Sequence, residues 1–230
     1  MYRFDFSKKS LVLIGLFLYS SFAFSGSYDD FFKAIRIDDG PAIQRLLVRG
    51  FDPNTLDEHG RPALLLALQV PSPKAAEVLV RSPQIRVEQR NDKDESPLML
   101  AALRGQKALV ELLIERDADV NKTGWTPLHY AASGGHAAIA QILLDHSAYI
   151  DAESPNGTTP LMMAAMYGSP DVVKLLLAQG ADRDLKNQLG MTALDFAKQG
   201  SRKDAIELLQ SAVVLPAPAV NTPTKAAGRW

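Results

Sequence analysis

The stretch TPLHYAASGGHAAIAQILLDHSAYIDAESPNG, residues 126–157, holds three of the chain's four histidines, His129, His136 and His146. Three imidazoles in one short segment read either as metal ligands or as framework. The residues around the segment bear on the choice. TPLMMAAMYGSPDVVKLLLAQGADRDLKNQLG begins at Thr159 and TALDFAKQGSRKDAIELLQ at Thr192, so the starts fall at 126, 159 and 192, a constant step of 33 residues. Upstream lie SPLMLAALRGQKALVELLIERDADVN from Ser96 and PALLLALQVPSPKAAEVLV from Pro62. A partial copy, FFKAIRIDDGPAIQRLLVRGFDPNTLDEHG, precedes them. A fixed period of this length dictates the fold, because each unit must bury its apolar face on its neighbours.

Within one period the pattern is helical. Ile139, Ile142 and Leu143 share one face at helical spacing, as do Val172, Leu175 and Leu176 in the next copy. Pro127 and Pro160 suit a first helical turn, where no N–H is needed, and Thr126 and Thr159 stand where a capping hydroxyl belongs. Gly180 suits a helix end that turns left-handed. The small pairs Ala131-Ala132 and Ala164-Ala165 let neighbouring helices approach closely. Each unit therefore reads as a helix, a tight turn, a longer helix and an extended loop.

Thr-Pro-Leu-His at 126–129, Ala131-Ala132, Gly135-His136, Leu143-Leu144 and Gly180-Ala181-Asp182 resemble the ankyrin repeat family. The resemblance implies an all-α solenoid of about six helix-turn-helix-loop repeats. They fall near residues 28–59, 60–93, 94–123, 124–156, 157–189 and 190–214. A leader (1–25) and a Pro/Ala-rich tail (215–230) flank them, the tail expected to be without fixed structure.

The resemblance also makes the histidines structural. It implies that His129 bonds local backbone and links adjacent repeats, and that His136 belongs to a Gly-His turn. His146 stands near a helix end, where a cation suits the dipole. A helical zinc pair wants ligands at i and i+4, whereas the three histidines are seven and ten residues apart, on two helices. Met162 and Met99 occupy the position of His129 in neighbouring copies. No metal or cofactor is expected, and a metal-handling protein or enzyme using His129 and His136 is the weaker alternative.

Composition narrows the classes. Lys and Arg number 25 against 26 acids, without the basic excess usual in a nucleic-acid binder. There is no cysteine, so thiolate chemistry, disulfides and cysteine-ligated metals are excluded for these 230 residues. Phosphate loops and nucleophile elbows are absent from the sequence. The first residues order as a secretory signal: Arg3, Lys8 and Lys9, then the apolar run Leu11–Tyr19, then Ala23 and Ser25 at a small-residue cleavage site. The run is too short to span a bilayer, which takes about 20 residues. Cleavage would leave a slightly acidic, monomeric protein without a membrane span, in the periplasm or secreted. Asn121-Lys122-Thr123 and Asn156-Gly157-Thr158 match the glycosylation sequon. The resemblance makes Asn121 a loop-stabilising residue, which favours a bacterial periplasm over a eukaryotic secretory route.

The resemblance implies binding of a protein partner, of unknown identity, through loop tips that project as fingers and through the exposed side of the first helices. The fingers offer His59 and Arg61, then Arg90, Asp92, Lys93 and Glu95, then Trp125, then Asn156 and Thr158, then Gln188 and Met191. Ser133, Met166 and Tyr167 should line the helices. Trp125 and Tyr167 stand out because aromatic residues are enriched at binding hot spots. Each equally suits simple cover for a neighbouring repeat. A further reading, from family analogy alone, is a scaffold that protects a periplasmic oxidative-stress enzyme.

Two departures stand out. Pro97 to Pro127 is 30 residues rather than 33, so the finger between Asn121 and Gly124 must be short. Pro71, Pro73 and Pro83 surround the second helix of the second copy, and because proline forbids interior helix hydrogen bonds this repeat is expected to be irregular, with one extra residue near Pro83.

Overall fold

The computed structural model describes residues 26–70 and 72–211. The expected leader, Pro71 and the expected tail lie outside the described residues. Among the described residues the regular structure is helical, with one isolated bridge pairing Leu56 and Pro62 at a finger base. The chain divides into two compact units, one up to Pro97 and one from Leu98.

The first unit holds α1 (26–36), α2 (Gly40–Val48), α3 (Ala63–Gln69) and α4 (Pro73–Arg81). Phe31, Phe32, Ile35, Ile43, Leu65, Leu68 and Leu79 form its buried centre, and the rings of Phe31 and Phe51 lie 4.5 Å apart. Asp38, in the turn after α1, accepts from the Ala75 amide at 2.9 Å and so caps α4 from the preceding repeat. The proline expectation needs correcting. Pro73 is the first residue of α4, where its missing N–H costs nothing, and Pro83 follows the helix end. The second helix of that copy is a regular nine-residue helix.

The second unit holds α5 (Pro97–Leu103), α6 (Lys107–Glu115), α7 (Pro127–Gly134), α8 (Ala137–Asp145), α9 (Pro160–Tyr167), α10 (Pro170–Ala178), α11 (Ala193–Gln199) and α12 (Lys203–Gln210). First helices stack on first helices, α7 on α9 on α11, and second helices on second helices, α8 on α10 on α12. Ala131, Ala132, Ala164, Ala165 and Ala197 are buried in the first layer; Ile139, Leu143, Val172, Val173 and Leu176 are buried in the second. Ile142 and Leu175, expected on the same apolar face, are only half-buried.

The first helices α7, α9 and α11 start the same way by different chemistry. Thr126, Thr159 and Thr192 accept the amide three residues on, and the side chain at that third position returns to the threonine amide. That returning group is the His129 imidazole in α7, the Met162 sulfur in α9 and the Asp195 carboxylate in α11. The second helices α2, α6, α8 and α10 end in a left-handed residue, whereas α4 runs on in extended backbone at Ser82. In α10 this is Gly180 at φ +92°, a conformation that costs glycine nothing, whereas in α8 the same place falls to Ser147 at φ +66°. The following amides, of Ala181 and Ala148, each close the motif on a leucine carbonyl, Leu176 and Leu143, at 2.9 Å.

Repeats are joined where a second helix begins. His136 Nε2 lies 3.0 Å from the Leu103 carbonyl, Ser169 Oγ donates to Gly135 at 3.3 Å, and Arg202 Nε donates to Met166 at 3.0 Å. Each thereby satisfies a carbonyl at the end of the previous repeat's first helix. The imidazole fits because its neighbour is glycine: a Cβ on Gly105 would lie 2.6 Å from His136 Cε1.

Candidate protein-binding surface

His129 is fully buried, and both ring nitrogens are engaged. The Thr126 amide donates to Nδ1 at 3.1 Å, so Nδ1 carries a lone pair and the proton sits on Nε2. That proton is donated to the Thr158 carbonyl of the next repeat at 2.8 Å. Burial lowers the His129 pKa to about 4, against smaller opposing contributions from backbone bonds at Thr158 and Ala152. The ring is thus a neutral strut between two repeats, with no lone pair to spare for a metal. His136 is occupied in the same framework sense, by Leu103. Among the described residues no group of three His, Cys, Asp or Glu side chains is placed to hold a metal ion.

In the first unit, the finger at 57–61 is built on Asp57, whose carboxylate takes amides from His59 and Arg61 and the Arg61 guanidinium at 2.7 Å. Burial pushes the Asp57 carboxyl up, but these bonds outweigh it and its pKa is lowered. His59 is exposed at the tip, whereas Arg61 is partly spent on holding the turn. The next finger repeats the device with Asn91, which accepts from the amides of Lys93 and Glu95. Asp92 and Lys93 are exposed there; Arg90 pairs with Asp94 at 3.1 Å, and Glu95 accepts from Asn91.

In the second unit, Asn187 supports the finger of Gln188 and Met191, and Gln188 reaches Pro155 of the preceding finger at 2.9 Å. Gln188 and Asn156 are exposed and Met191 is half-buried. Thr158 does not belong with them. It is 2 % exposed, its amide is held by Ser154 and its carbonyl by His129, so it is part of the framework.

The finger at 121–126 differs from the others. Asn121 bonds the Ser147 carbonyl and the Tyr149 amide of the next repeat, both at 2.8 Å, as Asn54 bonds Gln84 and Arg86 in the first unit. From Asn121 the chain passes through bends at 123–125 straight into the Thr126 cap, without the turn that tips the other fingers. Three missing residues leave a hollow of about 230 Å³, lined by Leu103, Trp125, His129, Tyr130, Ser133 and Met163. Trp125 is half-buried and meets the His129 ring edge-on at 5.2 Å, so it covers the strut and still borders the hollow. Tyr167, in contrast, is 51 % exposed and free to touch another molecule.

The sequence reading omitted Tyr130 and Met163. Both stand four residues after the capping threonine, as does Phe196, so the 33-residue period held the signal. With Ser133, Met166 and Tyr167 they make the open face of α7 and α9. Neither helix contains an Asp, Glu, Lys or Arg. The face is aromatic and thioether, adaptable in shape, and carries no fixed charge.

The comparisons agree with this architecture. A family model described as ankyrin repeats matches residues 31–123, 72–154 and 148–215. Ankyrin repeat and SAM domain-containing protein 6 of Rattus norvegicus is 35 % identical over 109 residues, 46 % of this chain and 12 % of that protein. The B-cell lymphoma 3 protein homolog of Mus musculus is 34 % identical over 125 residues, 51 % of this chain and 28 % of that protein. The chain thus spans about a quarter or less of these curated relatives. Among solved structures, an ankyrin repeat domain from Acinetobacter baumannii aligns at TM-score 0.67 and 26 % identity, covering 78 % of this chain and 95 % of that one. The ankyrin repeat domain of human ASB11 aligns at 0.70 and 29 %, covering 78 % and 81 %. Capped first helices, left-handed second-helix ends and fingers held by side-chain turns recur at the matched period, and the chain belongs to the ankyrin-repeat family, whose members are in general non-catalytic protein-interaction modules.

Proposed function

We propose that this chain is an exported, non-catalytic binding protein that holds a protein partner on the first-helix face and fingers of its repeats, and that it works as a monomer in a bacterial periplasm. The observation that carries the reading is the uncharged face of α7 and α9, opened at one end by the short finger. Tyr130, Met163, Met166 and Tyr167 present apolar area there, with Trp125 at the rim. Such a patch, lined by rigid aromatic groups, is where binding energy concentrates.

Export is supported by the order of charges, apolar run and small residues in the first 25 positions. A periplasm rather than a glycosylating route is supported by Asn121, whose side-chain amide donates to Ser147 and is needed for stacking.

The binding test uses full-length protein as bait in a periplasmic extract. Trp125→Ala and Tyr167→Ala should weaken capture of the same partner about thirtyfold, the effect of losing about 2 kcal/mol at a hot spot. Arg81→Ala, on a second helix, should leave it unchanged. Equal capture by all three variants would sink the assignment of this face. For export, N-terminal sequencing of the native protein should find a start at Phe24 or Gly26. An intact Met1 in a cytosolic fraction would overturn the periplasmic role.

A further inference from the structure

The α7–α9 face has a matching occupant in the same chain. Residues 212–224, AVVLPAPAVNTPT, contain no charged residue and three prolines, Pro216, Pro218 and Pro223. Proline-rich segments favour the extended polyproline II form, lose little entropy on binding, and dock in grooves lined by aromatic side chains. The face of α7 and α9 is such a surface: Trp125, Tyr130 and Tyr167 border it, neither helix carries an ionised side chain, and the hollow of about 230 Å³ is open for an apolar side chain. We propose that residues 212–224 fold back within the same chain and lie along this face, so that a partner must displace them. The inference rests on the reading of the face as a binding surface.

Reach is sufficient. Arg183 Nη1 donates to the carbonyls of Leu209 and Ser211 at 3.0 and 2.9 Å, which fixes the point of departure beside the loop ahead of α11. Passing from α12 to α11, α9 and α7 takes three helix-to-helix steps of about 8–10 Å, or about 25–30 Å in all. The 13 residues from 212 to 224 extend over about 40 Å at the polyproline II rise. Chemistry favours this face over the next repeat as the end point: α11 carries Asp195 and Lys198, whereas α7 and α9 are uncharged, as the segment is.

The test uses the full chain with Trp230→Phe, which leaves Trp125 as the one tryptophan. The triple substitution Pro216→Asp, Pro218→Asp and Val220→Asp places charge where the face offers none. The Trp125 emission should then move to longer wavelength, and acrylamide quenching should rise about twofold as the ring loses apolar cover. Identical emission and quenching in the two proteins would overturn the proposal. Photo-crosslinking gives a second readout, with Tyr167→p-benzoylphenylalanine in the otherwise unaltered chain. A product of monomer mass joining position 167 to residues 212–224 supports the proposal. A product joining two chains, or none involving that segment, overturns it. If crosslinking misses the segment while Trp125→Ala still loses the partner, only this inference fails and the binding surface stands.

Discussion

His129 makes both of its bonds only while the ring is neutral, because the Thr126 amide needs a lone pair on Nδ1. Its folded pKa of about 4 lies below the ordinary 6.5. The unfolded chain therefore takes up a proton first as pH falls. The sign follows: the contribution to stability is complete above pH 6.5 and is lost progressively down to about pH 4. At the usual conversion it amounts to about 3 kcal/mol. The protein supplies its own control at Met162, which does the same local capping through sulfur. His129→Met should cost about 1 kcal/mol at pH 7, for the lost bond to Thr158. Urea titrations should show a shallower decline for this variant than for the parent between pH 7 and 4. Parallel pH dependences would show that the ring does not titrate as its burial requires.

At the scale of the helix, Leu143 and Ser147 offer opposite changes. Leu143 is fully buried in α8, and Leu143→Ala should cost about 2–5 kcal/mol, read as a lower urea midpoint. Ser147 holds the left-handed end of α8 with an exposed side chain, the place that Gly180 fills after α10. Ser147→Gly should stabilise by about 0.5–1 kcal/mol, since the Asn121 bond is to its backbone and survives. No rise in thermal midpoint would mean that the left-handed turn carries no strain. Helices and caps were legible in the sequence because their causes are local: a threonine, a proline and a glycine at fixed offsets. The expectation of an irregular second copy went wrong because a proline breaks a helix or starts one according to a shift of a few residues. Thr158 was misplaced for a related reason. A finger residue and a framework residue differ only in whether a strut from another repeat reaches it.

Across the whole molecule, what the sequence concealed is whatever two repeats make together. The period announced the fold, and counting 30 residues instead of 33 announced a short finger. The hollow beside it depends on Leu103, Tyr130 and Met163 converging from three helices, which no single copy displays. The framework role of the histidines also has a test at this scale. Chelator treatment of the full chain should leave the thermal transition where it was, and stoichiometric zinc in protein purified without added metal would overturn the assignment. The short finger has one more consequence. Asn121 and Thr126 bond the framework at its two ends, and Lys122 and Trp125 pack inside them, so the part open to change is the bend at Thr123 and Gly124. Doubling a loop's length costs only about 0.6 kcal/mol. A gain or loss of a few codons there can redraw what the surface admits while the stack keeps its fold, so the tip can evolve new recognition at a pace that the buried helices could not sustain.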